Sequence, residues 1–242
     1  MLGLVAASRR VSAPGSLTRR ASWASLGFVI AEALIGAGLV LFGWVGQDPS
    51  LGRALTASLH PVNTPLLLAA LTITARVASL PDKAALRWSQ RWLAGIGAGL
   101  AAVAVLGASG ALTALGDTLF PALSLAEGLA ADASPAANAL VRLRVVHPVL
   151  AVLAGGYLLA LAGAFRPGGG QPARLARALA AIVLVQWAVG ALNVILLAPV
   201  GLQIVHLLLA DLAWITLVLL ALAIGEQETA RPGRMASAHL GA

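Results

Sequence analysis

Three histidines lie at similar positions in the apolar segments of this sequence, and they are the residues best suited to chemistry. His60, His147 and His206 each lie roughly six to nine residues inside one end of a long apolar stretch, which corresponds to a depth of about 9–14 Å along a helix. Ionisable residues in such segments are costly and are usually functional. The fourth histidine, His239, lies in a polar C-terminal segment, where we expect it to be solvated.

Two facing imidazoles in an apolar environment are suited to axial ligation of a haem iron. One ring nitrogen binds the metal, and the other donates a hydrogen bond to a nearby acceptor. His147 and His206 form the best pair, because their segments run in the same direction and their depths match. Zinc is less favoured, since the chain has no cysteine and no clustered carboxylates beside the histidines. The alternative is that each imidazole only hydrogen-bonds another helix and contributes to packing.

Two arginines lie near this predicted pair. Arg142 and Arg144 precede His147 by about one helical turn, on the side nearer the end of the segment. Guanidinium groups there are suited to pairing with haem propionates. Ordinary anchoring at a membrane interface is an equally good interpretation of both.

Composition indicates the kind of element that must position these residues. The chain has 242 residues, of which 60% are hydrophobic and 10% charged, and its mean hydropathy is +0.91. A soluble domain carries roughly 25% charged residues. Apolar blocks of about 20 residues match a hydrocarbon core of about 30 Å, and blocks without strict alternation favour helices over a barrel. We therefore predict an all-α, polytopic transmembrane helix bundle with about six spans: 25–46, 53–79, 88–112, 138–164, 174–197 and 200–225.

The net charge of +7 does not indicate nucleic-acid binding, because most basic residues lie between apolar blocks. The loop 113–137 has no Lys or Arg, and it contains Asp117, Glu127 and Asp132. Positive charge concentrates in cytoplasmic loops, so we expect both termini to be cytoplasmic. The Ala- and Arg-rich composition favours a bacterial plasma membrane. The polar tail after Gly225 is expected to be disordered. The basic residues that fall on one side are Arg9, Arg10, Arg19, Arg20, Arg76, Lys83, Arg87, Arg91, Arg166, Arg174, Arg177, Arg231 and Arg234.

The sequence also contains an internal repeat. The segment from Glu32 to Val40 parallels 186–194, and each is followed by a turn containing proline and then by a span with a histidine, His60 or His206. Spans one and two therefore resemble spans five and six. The same offset of 154 residues aligns Met1 with Gly155, so span four has a counterpart of which only the final part is present. His60 would then belong to a second site whose other histidine precedes Met1, either because the start is misplaced or because the protein is naturally short.

These motifs together resemble the haem A synthase family, over roughly residues 1–225. The resemblance implies eight spans in two four-helix halves, of which the first two spans are lacking here. By this interpretation, 1–91 is the remainder of the N-terminal half, 92–225 the C-terminal half and 226–242 a polar tail. The matching segments are Glu32–Phe42, His60–Thr64, Gly116–Pro121, Arg142–Pro148 and Gln203–Asp211.

The resemblance implies a membrane oxidoreductase that converts the C8 methyl of haem O to the formyl of haem A for cytochrome oxidase. His147 and His206 would ligate a haem b cofactor, and His60 would bind the substrate haem. The partners expected are haem O, membrane lipid, haem O synthase and an electron acceptor, with a homo-oligomer left open and no nucleic acid. The alternatives are a non-catalytic haem b-binding membrane subunit and a six-span transporter or scaffold.

Other polar residues in the spans have simpler interpretations. Glu32 is either a functional acid or a protonated packing group, and Asp211 is not expected to support His206, since five residues separate them. Asp117 is expected to shape the loop. Three amides are expected to form hydrogen bonds between helices: Asn63, Asn193 and Gln203.

Overall fold

The computed structural model describes residues 1–80 and 86–239, and it describes side chains for 1–80, 86–165 and 167–229. Lys83 and the side chains of Arg166, Arg231, Arg234 and His239 lie outside these ranges. The described residues form helices and no strand, which confirms the all-α prediction. The helices are α1 (Leu2–Val11), α2 (Leu17–Leu41), α3 (Leu51–Ala78), α4 (Gln90–Leu119), α5 (Leu125–Ala133), α6 (Ala139–Leu143), α7 (Val146–Phe165), α8 (Gly170–Ile195) and α9 (Val200–His239).

Six segments are long and apolar enough to cross a membrane, as predicted: α2, α3, α4, α6 with α7, α8 and the part of α9 up to Thr229. Two of the span boundaries, the start of α2 and the end of α4, differ from the predicted ones by seven or eight residues. The side chain of Ser16 caps α2 by accepting from the amide of Arg19, so this helix begins at Leu17 instead of residue 25. Helix α4 extends to Leu119. The hydroxyls of Thr113 and Thr118 each donate to the backbone carbonyl four residues earlier in the same helix, so these polar residues do not end it.

Helices α4, α7, α8 and α9 share the main apolar core. Leu179 and Leu217 are fully buried there, and Ile96 and Leu158 nearly so. The core includes Gly99, where a Cβ atom would lie 3.3 Å from Leu158 and 3.4 Å from Leu217, so α4 approaches its neighbours closely only because this residue lacks a side chain. This four-helix unit contains both histidines of the predicted pair.

The helix boundaries support the internal repeat. Adding 154 to the bounds of α2 gives 171 and 195, and α8 runs from 170 to 195. The same shift places α1 on 156–165, the last ten residues of α7. Side-chain packing repeats as well. The hydroxyls of Ser8 and Ser22 meet at 2.7 Å where α1 crosses α2, and the matching Ala162 and Ala176 are both fully buried in the core that α7 and α8 share.

The predicted disorder after Gly225 is wrong for the described residues, because α9 continues without interruption to His239. The turn of α9 that contains Glu226 and Glu228 contacts the end of α3 and the start of α4. Glu226 accepts from Arg76 at 2.5 Å, and Glu228 accepts from the backbone amide of Ser89 at 2.5 Å. The indole of Trp88 also donates to the carbonyl of Ala221 at 2.7 Å. Acidic side chains of the predicted tail thus pair with the basic end of the bundle, which the sequence interpretation did not anticipate.

Candidate functional site

His147 and His206 lie next to each other in the four-helix unit. Their ring centroids are 6.5 Å apart, and the ring planes are inclined by 73°. A metal–imidazole bond measures about 2.0–2.1 Å, and a ring nitrogen lies about 1.2 Å from the centre of its own ring, given bond lengths of about 1.35 Å. Two imidazoles bound on opposite sides of one metal ion would therefore have centroids about 6.4 Å apart. The observed spacing of 6.5 Å is close to this value, so the distance between the rings leaves room for one shared metal ion.

The hydroxyl of Ser109 lies beside both the carbonyl of Leu106, at 2.8 Å, and His147 Nδ1, at 2.9 Å. When the hydroxyl donates its single proton to the carbonyl of Leu106, its oxygen is the atom left to accept from His147 Nδ1. In this arrangement the proton of the neutral ring is on Nδ1, and Nε2 presents a bare lone pair. That is the state a metal ligand requires.

Two glycines make room for the two rings. A Cβ atom at Gly110 on α4 would lie 3.0 Å from His147 Cε1, and one at Gly190 on α8 would lie 3.2 Å from His206 Cε1. Contacts this short force the neighbouring group to shift. Each imidazole therefore rests against a backbone that only glycine allows to come so close, and this support fixes the distance between the rings.

The surroundings of His206 are less complete. Its Nδ1 is buried and has no hydrogen-bond partner among the described residues. Gln186 on α8 is adjacent, because its side-chain Nε2 donates to the backbone carbonyl of His206 at 3.0 Å. The Oε1 of the same amide is buried and likewise unpartnered within the described part of the chain.

His60 on α3 forms a separate cluster with Glu32 on α2. Its Nδ1 lies 3.2 Å from Glu32 Oε1, and its side chain is 50% exposed. Glu32 also accepts from Thr64 Oγ1 and from Asn63 Nδ2, each at 2.5 Å, so three residues of α3 converge on one carboxylate. No other described histidine makes ring contact with His60, whereas His147 and His206 do so with each other. The described residues thus hold one paired site and one single histidine, as the repeat predicts.

The donor set fits a haem iron. Within the described residues, no hydrogen bond occupies Nε2 of His60, His147 or His206, and no group of three or more His, Cys, Asp or Glu residues is placed to hold a metal ion. Two imidazoles at a shared-ligand spacing, in an apolar helix unit and without carboxylates, suit a haem better than zinc.

A comparison with protein families identifies the family of the chain. Residues 1–218 match the model of the COX15-CtaA family, which is described as a cytochrome oxidase assembly protein. The chain belongs to this family. No solved structure matches the chain.

Two curated proteins are also similar to this family member. Both are named protoheme IX farnesyltransferase, and they come from two strains of Thermus thermophilus. Each is 42% identical over 224 residues, which is 91% of this chain and 37% of the relative. The chain thus spans just over a third of the length of these relatives.

The two arginines predicted to bind propionates differ in their surroundings. Arg144 is 10% exposed and pairs with carboxylates: its Nη1 lies 2.9 Å from Asp117 Oδ1, and its Nε lies 3.3 Å from Asp132 Oδ1. The predicted role of Asp117 in shaping the loop agrees with this ion pair. The structure thus gives Arg144 a different partner from the predicted one, because the acidic loop folds back onto it. Arg142 is exposed and makes no hydrogen bond or ion pair with the described residues, so its predicted role stays open.

The amides behave unequally. Asn63 joins two helices as predicted, since its Nδ2 also donates to the carbonyl of Phe28 at 2.9 Å. Gln203 instead donates to the carbonyl of Ala198 at 2.5 Å within the turn between α8 and α9, so its predicted bond between helices is wrong. Asn193 Oδ1 is buried without a partner among the described residues.

Sequence interpretation missed Ser109, Gly110 and Gly190 as parts of the family member's site. Ser109 and Gly110 carry no signal in one sequence, because small residues are common throughout the apolar segments. Gly190 did carry one, since it lies four residues after Gln186 in the repeated motif, on the same helix face.

Proposed function

We propose that this chain binds a haem b between His147 and His206 and that the protein to which it belongs oxidises the C8 methyl of haem O to the formyl of haem A. The observation that carries the proposal is the 6.5 Å separation of the two ring centroids. Membership of a cytochrome oxidase assembly family supports it, because haem A is expected to serve that oxidase.

The residues of the chain would contribute binding, orientation and exclusion of water. Ser109 holds the proton on Nδ1 of His147 and leaves Nε2 free for iron. Gly110 and Gly190 support the two imidazoles from behind. His147 and His206 would hold the haem, which would supply one-electron transfer when bound. His60, held by Glu32, offers a second Nε2 for the substrate haem.

The curated relatives support a place beside haem O formation. They are named for farnesyl transfer to protoheme IX, and a segment like this chain accounts for 37% of their length. Oxidation of a methyl to a formyl group must act on a porphyrin that another enzyme has already made. We propose that a haem O synthase supplies this substrate, that water supplies the formyl oxygen, and that an electron acceptor receives the four electrons that are released together with four protons.

Optical spectra of the chain purified from membranes in detergent test the haem site. We expect a low-spin b-type spectrum that is lost in His147→Ala and His206→Ala but retained in His60→Ala, the matched control. A preparation from haem-replete cells that contains no haem would contradict the proposal. Oxidation of added haem O, followed by extraction and mass analysis of the porphyrin, tests the reaction itself, and farnesylation of protoheme IX in the same assay would favour the activity named for the relatives.

A second candidate function is non-catalytic haem binding. The described residues contain one paired histidine site, and His60 faces no second histidine among them. The test is made on the chain together with a segment that supplies a second histidine for the site of His60. If this protein loads one haem but leaves added haem O unchanged, the non-catalytic candidate is favoured.

We also propose that the basic end of the bundle faces the cytoplasm of a bacterium. Arg76 and Trp88 lie at this end, whereas Asp117 and Asp132 lie at the other. The asymmetry follows the distribution of basic residues in membrane proteins. Reporter fusions should place the segment after residue 229 in the cytoplasm and the loop 120–138 outside it. The reverse placement would contradict the proposed orientation.

A further inference from the structure

Gln186 uses only part of its hydrogen-bonding capacity beside His206. Its Nε2 is anchored on the backbone carbonyl of His206 at 3.0 Å, while its Oε1 is buried and unpaired in the described part of the chain. His206 Nδ1 is also buried and unpaired there. An unpaired buried donor or acceptor costs roughly 1–3 kcal/mol. A hydrogen bond between Oε1 and Nδ1–H would satisfy both atoms at once.

The orientation of the amide is fixed by its anchor. If Gln186 were flipped, Oε1 would face the carbonyl oxygen of His206, and two acceptors would repel each other. With Nε2 on that carbonyl, Oε1 is the atom left for the ring. The amide can therefore serve His206 only as an acceptor, which requires the ring proton to be on Nδ1.

The repeat supplies an independent comparison. Gln186 occupies the position of Glu32 at the offset of 154 residues, and Glu32 Oε1 lies 3.2 Å from Nδ1 of His60. His60 and His206 are each the histidine of the helix that follows, although they are 146 residues apart because the two turns differ in length. In both halves, one side chain on the first helix of the pair thus lies against the histidine-bearing second helix. The residue type differs, because one half has a carboxylate and the other a neutral amide.

We propose that Gln186 is a positioning residue for His206: its Oε1 accepts from Nδ1–H, and its neutrality makes His206 a less basic iron ligand than the Glu32-bound His60. All three histidines then follow one arrangement, in which Nδ1 donates to an acceptor and Nε2 is left bare for the metal. A carboxylate acceptor increases the basicity of the ring more than an amide or hydroxyl does. The two halves of the repeat therefore hold their irons with different electron-donating strength. The part about ligand basicity rests on the proposed haem function, whereas the hydrogen bond itself does not.

The hydrogen bond is tested first on the full chain without added haem. Nitrogen NMR of the chain labelled in its histidine rings distinguishes a protonated from a bare ring nitrogen, and His206→Ala assigns the signal. In the unsubstituted chain, we expect His206 to carry its proton mainly on Nδ1. In Gln186→Leu, the ratio of the Nδ1–H tautomer to the Nε2–H tautomer should fall at least tenfold. Gln203→Leu, which changes a glutamine at the start of the same α9 helix, should leave the ratio unchanged.

The effect on the iron is tested by redox titration of the haem-loaded chain. Gln186→Glu should favour ferric over ferrous haem at least tenfold relative to the unsubstituted chain, a downward shift of about 59 mV for one electron. Glu32→Gln should leave the potential of this haem unchanged, because Glu32 contacts the other histidine.

The outcomes separate the two proposals. A haem-loaded chain in which Gln186→Leu and Gln186→Glu change neither the tautomer ratio nor the potential would overturn the role of Gln186 and leave the haem site standing. A chain that binds no haem but shows the tautomer change would overturn the proposed function and retain the hydrogen bond. If Gln186→Glu does not load haem, the tautomer ratio in Gln186→Leu still decides the matter.

Discussion

Gly110 lies directly against the imidazole of His147, so close that a Cβ atom on this glycine would come within 3.0 Å of Cε1 and 3.4 Å of Nδ1. The two residues are on different helices, α4 and α7. The ring has no room to retreat without changing its distance from His206, which is 6.5 Å between centroids. The absence of one methyl group thus contributes to the spacing that a shared metal ion needs.

Gly110→Ala should therefore reduce haem loading by at least tenfold. The added methyl displaces the ring, and metal ligands tolerate little displacement. The measurement is the haem-to-protein ratio of the purified chain, read from the reduced spectrum. Gly97→Ala is the matched control, because it lies on the same helix and its Cβ would meet nothing within 4 Å. Gly97→Ala should load haem normally and stabilise α4 by about 0.5–1 kcal/mol. Equal loading in both variants would contradict the role of Gly110.

Much of the fold could be predicted from the sequence, because the apolar composition of its long segments determines where the helices lie. Apolar blocks of membrane-spanning length set the number of the helices, because the burial of such blocks in lipid is favourable. The distribution of arginine gives only a prediction of their direction across the membrane. His147 and His206 were predictable as a pair for the same reason, since a histidine is conspicuous in an apolar span. Their agreement in depth then suggested a shared ligand.

The remaining features depend on contacts between distant segments. Nothing local marks Ser109 as the acceptor for His147, since its partner is 38 residues away. Arg144 was expected to bind a propionate because it lies near His147 in the sequence. In the structure it instead forms an ion pair with Asp117, which is 27 residues earlier. The helical tail depends likewise on Glu226 meeting Arg76 across 150 residues.

Ser109→Ala should weaken haem binding without unfolding the protein. The substitution removes the acceptor that holds the proton on His147 Nδ1, and a hydrogen bond of this kind contributes about 1 kcal/mol, or roughly a fivefold change in affinity. Haem titration into the haem-free chain measures the affinity. Thr118→Ala is the control, because its hydroxyl donates only to Ala114 within α4. An affinity that falls equally in both variants would mean that Ser109 acts through helix stability alone.

Arg142 and Arg144 should differ in what their removal costs. Arg144→Gln leaves Asp117 and Asp132 without their cationic partner, and we expect a loss of about 2 kcal/mol in the free energy of unfolding. Arg142→Gln should leave stability unchanged, since Arg142 is exposed and unpaired among the described residues. Thermal melting of each variant in detergent provides the comparison.

Haem affinity then tests the predicted propionate contact separately from stability. If Arg142 pairs with a propionate, Arg142→Gln should weaken haem binding severalfold at an unchanged melting temperature. Unchanged affinity in this variant would assign Arg142 to anchoring at the membrane interface. The two arginines, two residues apart, thus separate a ligand contact from a structural ion pair.

The turn between α8 and α9 should be stabilised by glycine. Leu197 and Ala198 both have left-handed backbone conformations, with φ of 57° and 53°, which cost a non-glycine residue roughly 1–2 kcal/mol each. Glycine adopts this conformation without that cost, although it loses more backbone entropy on folding. Ala198→Gly should therefore raise the free energy of unfolding by up to about 1 kcal/mol, equivalent to about 2–4 °C in melting temperature for a chain of this size. Ala101→Gly, an exposed position inside α4, should lower the free energy of unfolding by about 0.5–1 kcal/mol and so lower the melting temperature. If both variants were destabilised alike, the strain assigned to Leu197 and Ala198 in this turn would be wrong.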